Sequence, residues 1–291
     1  MRNFDEKSIT GAVIERLDHC ASPRARQISA ALVRHLHDFV REIEPDQEEW
    51  EQAIDFLTRT GQMCTATRQE FILLSDALGV SMLVDAINHR LTGAATETTV
   101  LGPFFVKHAP EVPRGARISG PDEGPPLLIE GSVRSVDGHV LANASVDIWH
   151  ADHAGFYDVQ KDGTRLSSRA RVRTDDAGHF WLIGAVPAAY PIPSDGPVGE
   201  MLEAQGRHPF RPAHVHFMVA AAGHETLITH LFLADSNYLD SDVVFGVKDS
   251  LIEKLDRAQP GPTPYGAHLD SPTAALRRDF VLGRSVDRTT R

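Results

Sequence analysis

The residues able to do chemistry gather between Tyr190 and Phe217, which reads YPIPSDGPVGEMLEAQGRHPFRPAHVHF. The stretch ends on His214-Val215-His216, two histidines one residue apart. Successive side chains of a strand point to opposite faces, so a His-x-His pair on a strand presents both imidazoles to one side. There they can grip a single metal ion, although such a pair by itself is more often incidental. Tyr157, in WHADHAGFYD, and Tyr190 add two phenols; a lone tyrosine is usually a half-buried packing residue. Catalytic zinc prefers His, Cys or carboxylate ligands plus water, and ferrous oxygenases use two histidines and a carboxylate. Phenolate is a hard anionic donor that favours ferric iron. Two phenols with two imidazoles therefore predict mononuclear, non-haem Fe(III).

Helices must come first in the chain and strands must carry the ligands. Residues 1–92 read as helical. Ser22-Pro23 joins an N-cap to a proline at the first helical position, and apolar residues recur at Ile28, Leu32, Leu36, Phe39, Val40 and Ile43 until Pro45. A third helix carries Trp50, Ile54 and Leu57 and stops near Gly61. Phe71, Leu74 and Leu78 mark a fourth, and Met82 to Leu91 a fifth ending near Gly93. These stripes read as core packing, with subunit pairing as the other use for surplus apolar faces. Thr96 to Val106 (TETTVLGPFFV) is linker-like.

From Leu127 onward, short runs rich in valine and isoleucine alternate with turn signals. Hairpins are expected between Leu127–Val136 and Val140–Trp149 through Asp137-Gly138, and between Arg169–Thr174 and His179–Ala185 through Asp175 to Gly178. A third joins His214–Ala220 to Thr226–Ala234 around Gly223-His224. Evenly spaced short strands of this kind argue for a β-sandwich. A late helix is expected over Gly246–Leu255, an edge strand at Phe280–Leu282, and a frayed arginine-rich end.

Composition narrows the partners. The chain has 291 residues, 42% hydrophobic and 24% charged, an ordinary globular balance with room for one large or two typical domains. A net charge of −11 without a basic block argues against nucleic acid and anionic membrane, and for a neutral or weakly acidic small molecule. No apolar run approaches the ~18 residues of a membrane span. The start MRNFDEKSIT lacks the basic and apolar parts of a secretory signal. Cys20 and Cys64 read as free or buried thiols in a reducing compartment, so a cytoplasmic location is expected.

WHADHAGFYD, YPIPSDGPVG and GRHPFRPAHVHF, in that order, resemble the signature of the intradiol ring-cleaving dioxygenases. The resemblance extends through the N-terminal helices and LGPFF, and so covers nearly the whole chain. It implies an α+β protein: an N-terminal helical dimerisation and linker domain over 1–100, then a mainly antiparallel β-sandwich catalytic domain over 101–291. It also implies one Fe(III) per subunit held by Tyr157, Tyr190, His214 and His216, with Tyr190 giving way as substrate arrives. A small aromatic diol or triol and O2 would be the substrates, both oxygen atoms entering the ring as it splits between its hydroxyl-bearing carbons. A homodimer through the N-terminal helices, with phospholipid held between the subunits, follows from the same resemblance.

Arg211, three residues before His214, matches the family's active-site arginine, whose charge would stabilise the attacked ring; outside this block it would read as a surface ion pair. His230, in TLITHLFLAD, stands where many catechol-cleaving relatives carry glutamine. It reads either as a hydrogen-bonding neighbour of the metal ligands or as a satisfied core histidine. His150 and His208 read as structural.

FILLSDALGVSMLVDAI and ITHLFLADSNYLDSDVVFGVKDSL most resemble the hydroxyquinol-cleaving branch of the family. Leu73 and Asp76 lie three apart on one helical face that, by resemblance, lines the pocket. A carboxylate there can accept a hydrogen bond from the third hydroxyl of benzene-1,2,4-triol and would be left unpaired by catechol. Otherwise Asp76 is a solvated helix residue. Val100, Leu101, Gly102, Pro103, Phe104, Ile192, Pro193 and Val244 complete the pocket by resemblance. The implied reaction converts hydroxyquinol to 3-hydroxy-cis,cis-muconate, the enol form of maleylacetate. Catechol or chlorocatechol 1,2-cleavage is the nearest alternative. A non-catalytic β-sandwich binding module that retains the metal site is the alternative of a different class.

Overall fold

The computed structural model describes residues 2–65, 68–90, 94–161 and 166–285. The chain forms two compact units, residues 1–59 and 60–291. The first holds α1 (Ile9–Glu15), α2 (Pro23–Ile43) and most of α3 (Gln47–Gln62). Ser22 caps α2: its Oγ accepts the Ala25 N–H at 3.1 Å, satisfying one of the donors that a helix start leaves without an internal partner. Glu44, at φ 43°, ends the helix before Pro45. The stripes are where they were expected, but their use differs. Ile28, Leu32, Leu36, Phe39 and Ile43 on α2, and Trp50, Ile54 and Leu57 on α3, are about half exposed rather than packed as core.

The second unit begins with α4 (Glu70–Ala77) and α5 (Val80–Asn88), the expected fourth and fifth helices. The fifth ends at Asn88 with His89 as its C-cap, short of the expected Leu91; residues 91–93 and 286–291 lie outside the described residues. The strands follow: β1 (Pro126–Ser135), β2 (Ser145–His150), β3 (Arg169–Arg173), β4 (His179–Ala185), β5 (Tyr190–Pro191), β6 (Phe210–Arg211), β7 (His214–Ala220) and β8 (Leu227–Leu233). Then come β9 (Ile252–Glu253), β10 (Asp256–Ala258), β11 (Gly261–Pro262), β12 (His268–Leu269), β13 (Thr273–Arg277) and β14 (Phe280–Leu282). One five-stranded sheet runs β3-β2-β7-β8-β9; the other runs β10-β13-β1-β14 with β4 also on β1. Val146 and Ile148, Val215, Phe217 and Val219 from the first meet Leu127, Ile129, Phe180, Leu182 and Phe280 from the second in one core. The expected sandwich is present, and β14 is the edge strand expected at Phe280–Leu282.

Two expected hairpins are corrected. The Asp137-Gly138 turn forms, with Gly138 N–H on the Ser135 carbonyl at 2.9 Å. Beyond it, only the bridge between Arg134 and Val140 joins the two segments. β1 already has β4 on one edge and β13 and β14 on the other, so β2 joins the opposite sheet beside β3 and β7. The Asp175–Gly178 turn likewise carries the chain from β3 in one sheet to β4 in the other. The third expected hairpin, β7 with β8, is present in register from His214↔Phe232 to Val219↔Leu227.

The expected helix over Gly246–Leu255 is also overturned. That segment makes a short 3-10 turn at Asp249–Leu251 and then β9, which pairs with the open edge of β8. A free sheet edge outcompetes a short helical pattern. One helix escaped the sequence reading, α6 (Pro197–Ala204), although Pro197 at its first position was the available signal. No helix among the described residues is long and apolar enough to cross a membrane.

Gly131, at the centre of β1, leaves no room for a side chain. A Cβ there would lie 1.7 Å from the Arg278 carbonyl oxygen. Gly131→Ala is expected to cost about 3 kcal/mol, read as a lowered urea midpoint; a shift below ~0.5 kcal/mol would contradict the register given for β1.

Candidate active site

On β7, alternation sends Val215, Phe217 and Val219 into the sandwich and His214 and His216 to the outer face, where each is only 1% exposed. Both imidazoles thus share one side, as the His-x-His spacing requires. His216 stands between Trp149 on β2 and His230 on β8 in direct cross-strand register. The Trp149 indole stacks on the His216 ring at 4.7 Å and 15°. The ring of His230 lies 4.1 Å from that of His216.

The tyrosines arrive on loops. Asp152 folds the turn after β2 by accepting the Ala154 and Phe156 N–H groups at 2.8 and 2.9 Å, which brings Tyr157 back over the sheet. Tyr190 is held by the β5–β6 pairing, opposite Arg211. Tyr157 Oη lies 3.3 Å from Tyr190 Oη, 2.9 Å from His216 Nε2 and 3.5 Å from His214 Nε2. The two histidine Nε2 atoms are 3.1 Å apart. His214 Nδ1 faces the Pro212 carbonyl at 2.7 Å, and as the donor there it leaves the Nε2 lone pair turned toward the other three groups. Donor separations near 3 Å suit one ion with bonds of about 2 Å. The four residues expected as ligands do converge.

The remaining expected residues surround this point unevenly. Arg211 is buried, with Nη1 3.3 Å from His214 Nε2 and Nη2 3.4 Å from His230 Nδ1. Leu73, Ile192 and Val244 belong to one apolar cluster, while Leu101 and Phe104 pack against Trp149, Tyr157 and Tyr190. Asp76 is 4% exposed, which sets aside the solvated reading; Ser81 hydrogen-bonds its carboxyl. Gly102, at φ +77°, comes so close that a Cβ would lie 3.0 Å from His216 Cε1. Val100 is half-buried beside Thr99, whose N–H donates to the Ile228 carbonyl of β8. Pro103 is exposed and Pro193 half-buried. His208 accepts the Phe210 N–H on Nδ1 and rests Nε2 on the Ser241 hydroxyl, a structural role as expected.

Comparison with known proteins decides the family. Residues 100–282 match the family model described as Dioxygenase, and residues 22–96 that of the catechol dioxygenase N terminus. The chain belongs to the intradiol ring-cleavage dioxygenases. It is 51% identical to 6-chlorohydroxyquinol 1,2-dioxygenase of Cupriavidus pinatubonensis, covering 98% of this chain and 100% of that protein. It is 50% identical to hydroxyquinol 1,2-dioxygenase of a Rhizobium species, over 88% of each chain. The crystal structure of hydroxyquinol 1,2-dioxygenase from Pseudomonas putida superposes with a TM-score of 0.89 at 46% identity, covering 96% of this chain and 99% of that one.

In this dioxygenase burial governs the site's electrostatics. It drives the His214 pKa down to about 3, helped by the Arg211 charge, and holds His216 and His230 well below the usual imidazole value. It raises the Tyr157 phenol well above its ordinary value, with Tyr190 adding to the effect, and raises Tyr190 against the opposing charge of Arg211. By themselves these groups favour their neutral forms, and a cation among these atoms would favour phenolate. Burial works against the Arg211 charge, but Asp242, with Tyr190 and Tyr157, outweighs it: Nε–Oδ1 is 3.0 Å and Nη2–Oδ2 3.2 Å. Burial likewise works to raise Asp242, and Arg211 holds it below the usual carboxylate range. Asp242 was missed because a buried guanidinium demands a carboxylate without saying which of several nearby aspartates supplies it.

The three histidines have folded pKa values below the unfolded value of about 6.5, so between those limits the unfolded chain binds more protons. Metal-free protein is expected to keep its full stability above pH ~6.5. It should lose up to about 1.4 kcal/mol per pH unit for each such histidine as the pH falls. Urea midpoints measured from pH 7 to pH 5 should fall less steeply in His230→Gln; equal slopes would show that His230 is not held neutral.

Proposed function

We propose that this dioxygenase cleaves hydroxyquinol with O2 in aromatic catabolism, giving 3-hydroxy-cis,cis-muconate, the enol form of maleylacetate. The observation that carries the choice of substrate is Asp76, a carboxyl buried on α4 within the fields of Arg211 and Asp242. Burial raises its pKa against a hydrogen bond from Ser81, and a carboxyl with one such partner keeps acceptor capacity that a substrate hydroxyl can fill. Hydroxyquinol has a third hydroxyl to do so; catechol has none. The names of the similar proteins point the same way.

We assign one non-haem Fe(III) per subunit to Tyr157, Tyr190, His214 and His216, since two phenolates and two imidazoles suit a ferric ion better than zinc or a ferrous centre. Bound iron would supply the Lewis acidity that lets the diol ionise and the electron-accepting capacity that opens its ring to O2. Tyr190 Oη, which the loaded site would hold as phenolate, would take the proton of one substrate hydroxyl as the diol enters. Tyr157 and the two histidines keep their places. Arg211, fixed by Asp242, sets its charge against the anionic ring as oxygen adds. His230 steadies the His216 ring that it packs against. Leu73, Val100, Leu101, Gly102, Pro103, Phe104, Ile192, Pro193 and Val244 hold the ring and keep water away.

On this reading residues 1–100 serve dimerisation and linkage, with α4 lending Leu73 and Asp76 to the catalytic domain of residues 101–291. The half-exposed stripes of α2 and α3 pair two copies, and phospholipid chains cover apolar surface left between them. Cys20 and Cys64, both unbonded, suit a reducing cytoplasm.

O2 uptake by the iron-loaded protein, corrected for autoxidation, should favour hydroxyquinol over catechol in kcat/KM by at least about a hundredfold. Asp76→Ala should narrow that to about tenfold or less. Comparable turnover of catechol by the unaltered protein would move it to the catechol-cleaving group. A visible phenolate-to-iron band should change in Tyr157→Phe, and an unchanged spectrum would remove Tyr157 from the ligands. Colourless protein with no O2 uptake, after iron loading, would favour a binding module.

A further inference from the structure

One guanidinium ties together the parts of the molecule that meet at Tyr157. Arg169 opens β3 opposite Trp149, and is 3% exposed. Its Nε donates to Asp158 Oδ2 at 2.7 Å and its Nη2 to Oδ1 of the same carboxylate, which belongs to the residue after Tyr157. Its Nη1 donates to the Phe104 carbonyl at 2.9 Å. The Phe104 ring lies on the Tyr157 ring, with centroids 4.5 Å apart and planes at 25°. Phe104 needs such an anchor, because residues 94–110 form no helix or strand of their own.

Asp158 already accepts the Val159 and Ser167 N–H groups at 2.9 and 3.1 Å, so the turn that carries Tyr157 is tied down without reference to Phe104. A lysine at position 169 could neutralise Asp158 as well. Only the planar fork of arginine can hold both carboxylate oxygens and still spare a donor for a third group. The spared donor goes to the segment whose Gly102 leaves room for no side chain beside His216 and whose Phe104 covers Tyr157.

We propose that Arg169 is a positioning residue which, by holding the Phe104 carbonyl, sets the ring stack on Tyr157 and couples the substrate pocket to the direction of the Tyr157 phenol. The inference rests on the ferric reading of the site given above. A ring substituent that displaces Phe104 is then felt at Tyr157 Oη, although it touches no ligand.

The test is a double-mutant cycle on iron-loaded protein with Arg169→Lys, Phe104→Leu and both together. Each single change should shift the phenolate-to-iron band and raise KM for hydroxyquinol about tenfold, with a smaller fall in kcat. Because both act through one stack, the double variant should be no more than about twofold worse than the weaker single. Multiplying effects on KM, or a band unmoved in both singles, would overturn the proposal. Should Arg169→Lys fail to fold, Phe104→Leu carries the test alone, and an unmoved band there is equally fatal. Absence of the band from the unaltered protein would instead count against the ferric site, so the two failures are told apart.

Discussion

Burial of the outer face of β7 strips water from His214, His216, Tyr157 and Tyr190 at once, and the rest of the site answers to that desolvation. In water these groups would titrate near their ordinary values. Here the imidazoles stay neutral, with lone pairs available, and the phenols hold their protons until a cation makes phenolate worthwhile. The nearest fixed positive charge, Arg211, is matched by Asp242 in the same dry region, so the pair adds direction without a large net charge. Asp242 thus offsets part of the charge that Arg211 sets against the three histidines.

A dry outer face is unusual for a sheet, and in this fold loops rather than a second sheet provide it. The turn carrying Tyr157, the segment through Gly102 and Phe104, and the path from Tyr190 to α6 all lie over β7. The first two are pinned by polar contacts, and the third by the short β5–β6 pairing together with polar contacts. At one corner Glu70 of α4, fully buried, pairs with Arg68 at 2.9 Å, while Arg68 also reaches Asp195 at 2.8 Å. A Cβ on Gly196 would crowd the Glu70 carboxylate at 2.8 Å. That packing fixes α4, and with it Leu73 and Asp76, against the segment that follows Tyr190. The groups that would recognise substrate and the Tyr190 oxygen that would receive its proton as phenolate share one support.

The apolar faces of α2 and α3 belong to a different problem. A face of half-exposed isoleucine, leucine, phenylalanine and tryptophan is larger than a lone helical layer would leave to water. Its sequence period is the same whether it meets a core, another subunit or a lipid. Only exposure separates those uses, and here it removes the core.

Much of this was written in local pattern. The His-x-His spacing put both imidazoles on one face, Ser22-Pro23 marked a helix start, and three motif blocks carried the resemblance to the family, because each depends on residues a few positions apart. Choices among distant partners were not legible. The Asp137-Gly138 turn forms, yet β2 pairs elsewhere because both edges of β1 are filled by strands that come later in the chain. The 246–255 segment gave up a helix to a free edge of β8. Asp242 and Arg169 are ordinary charged residues in sequence, made important by the buried groups that they reach. Local sequence determined which faces the side chains take; only tertiary structure decided which of those faces are dry and what meets across them, because desolvation and strand pairing depend on every segment that arrives.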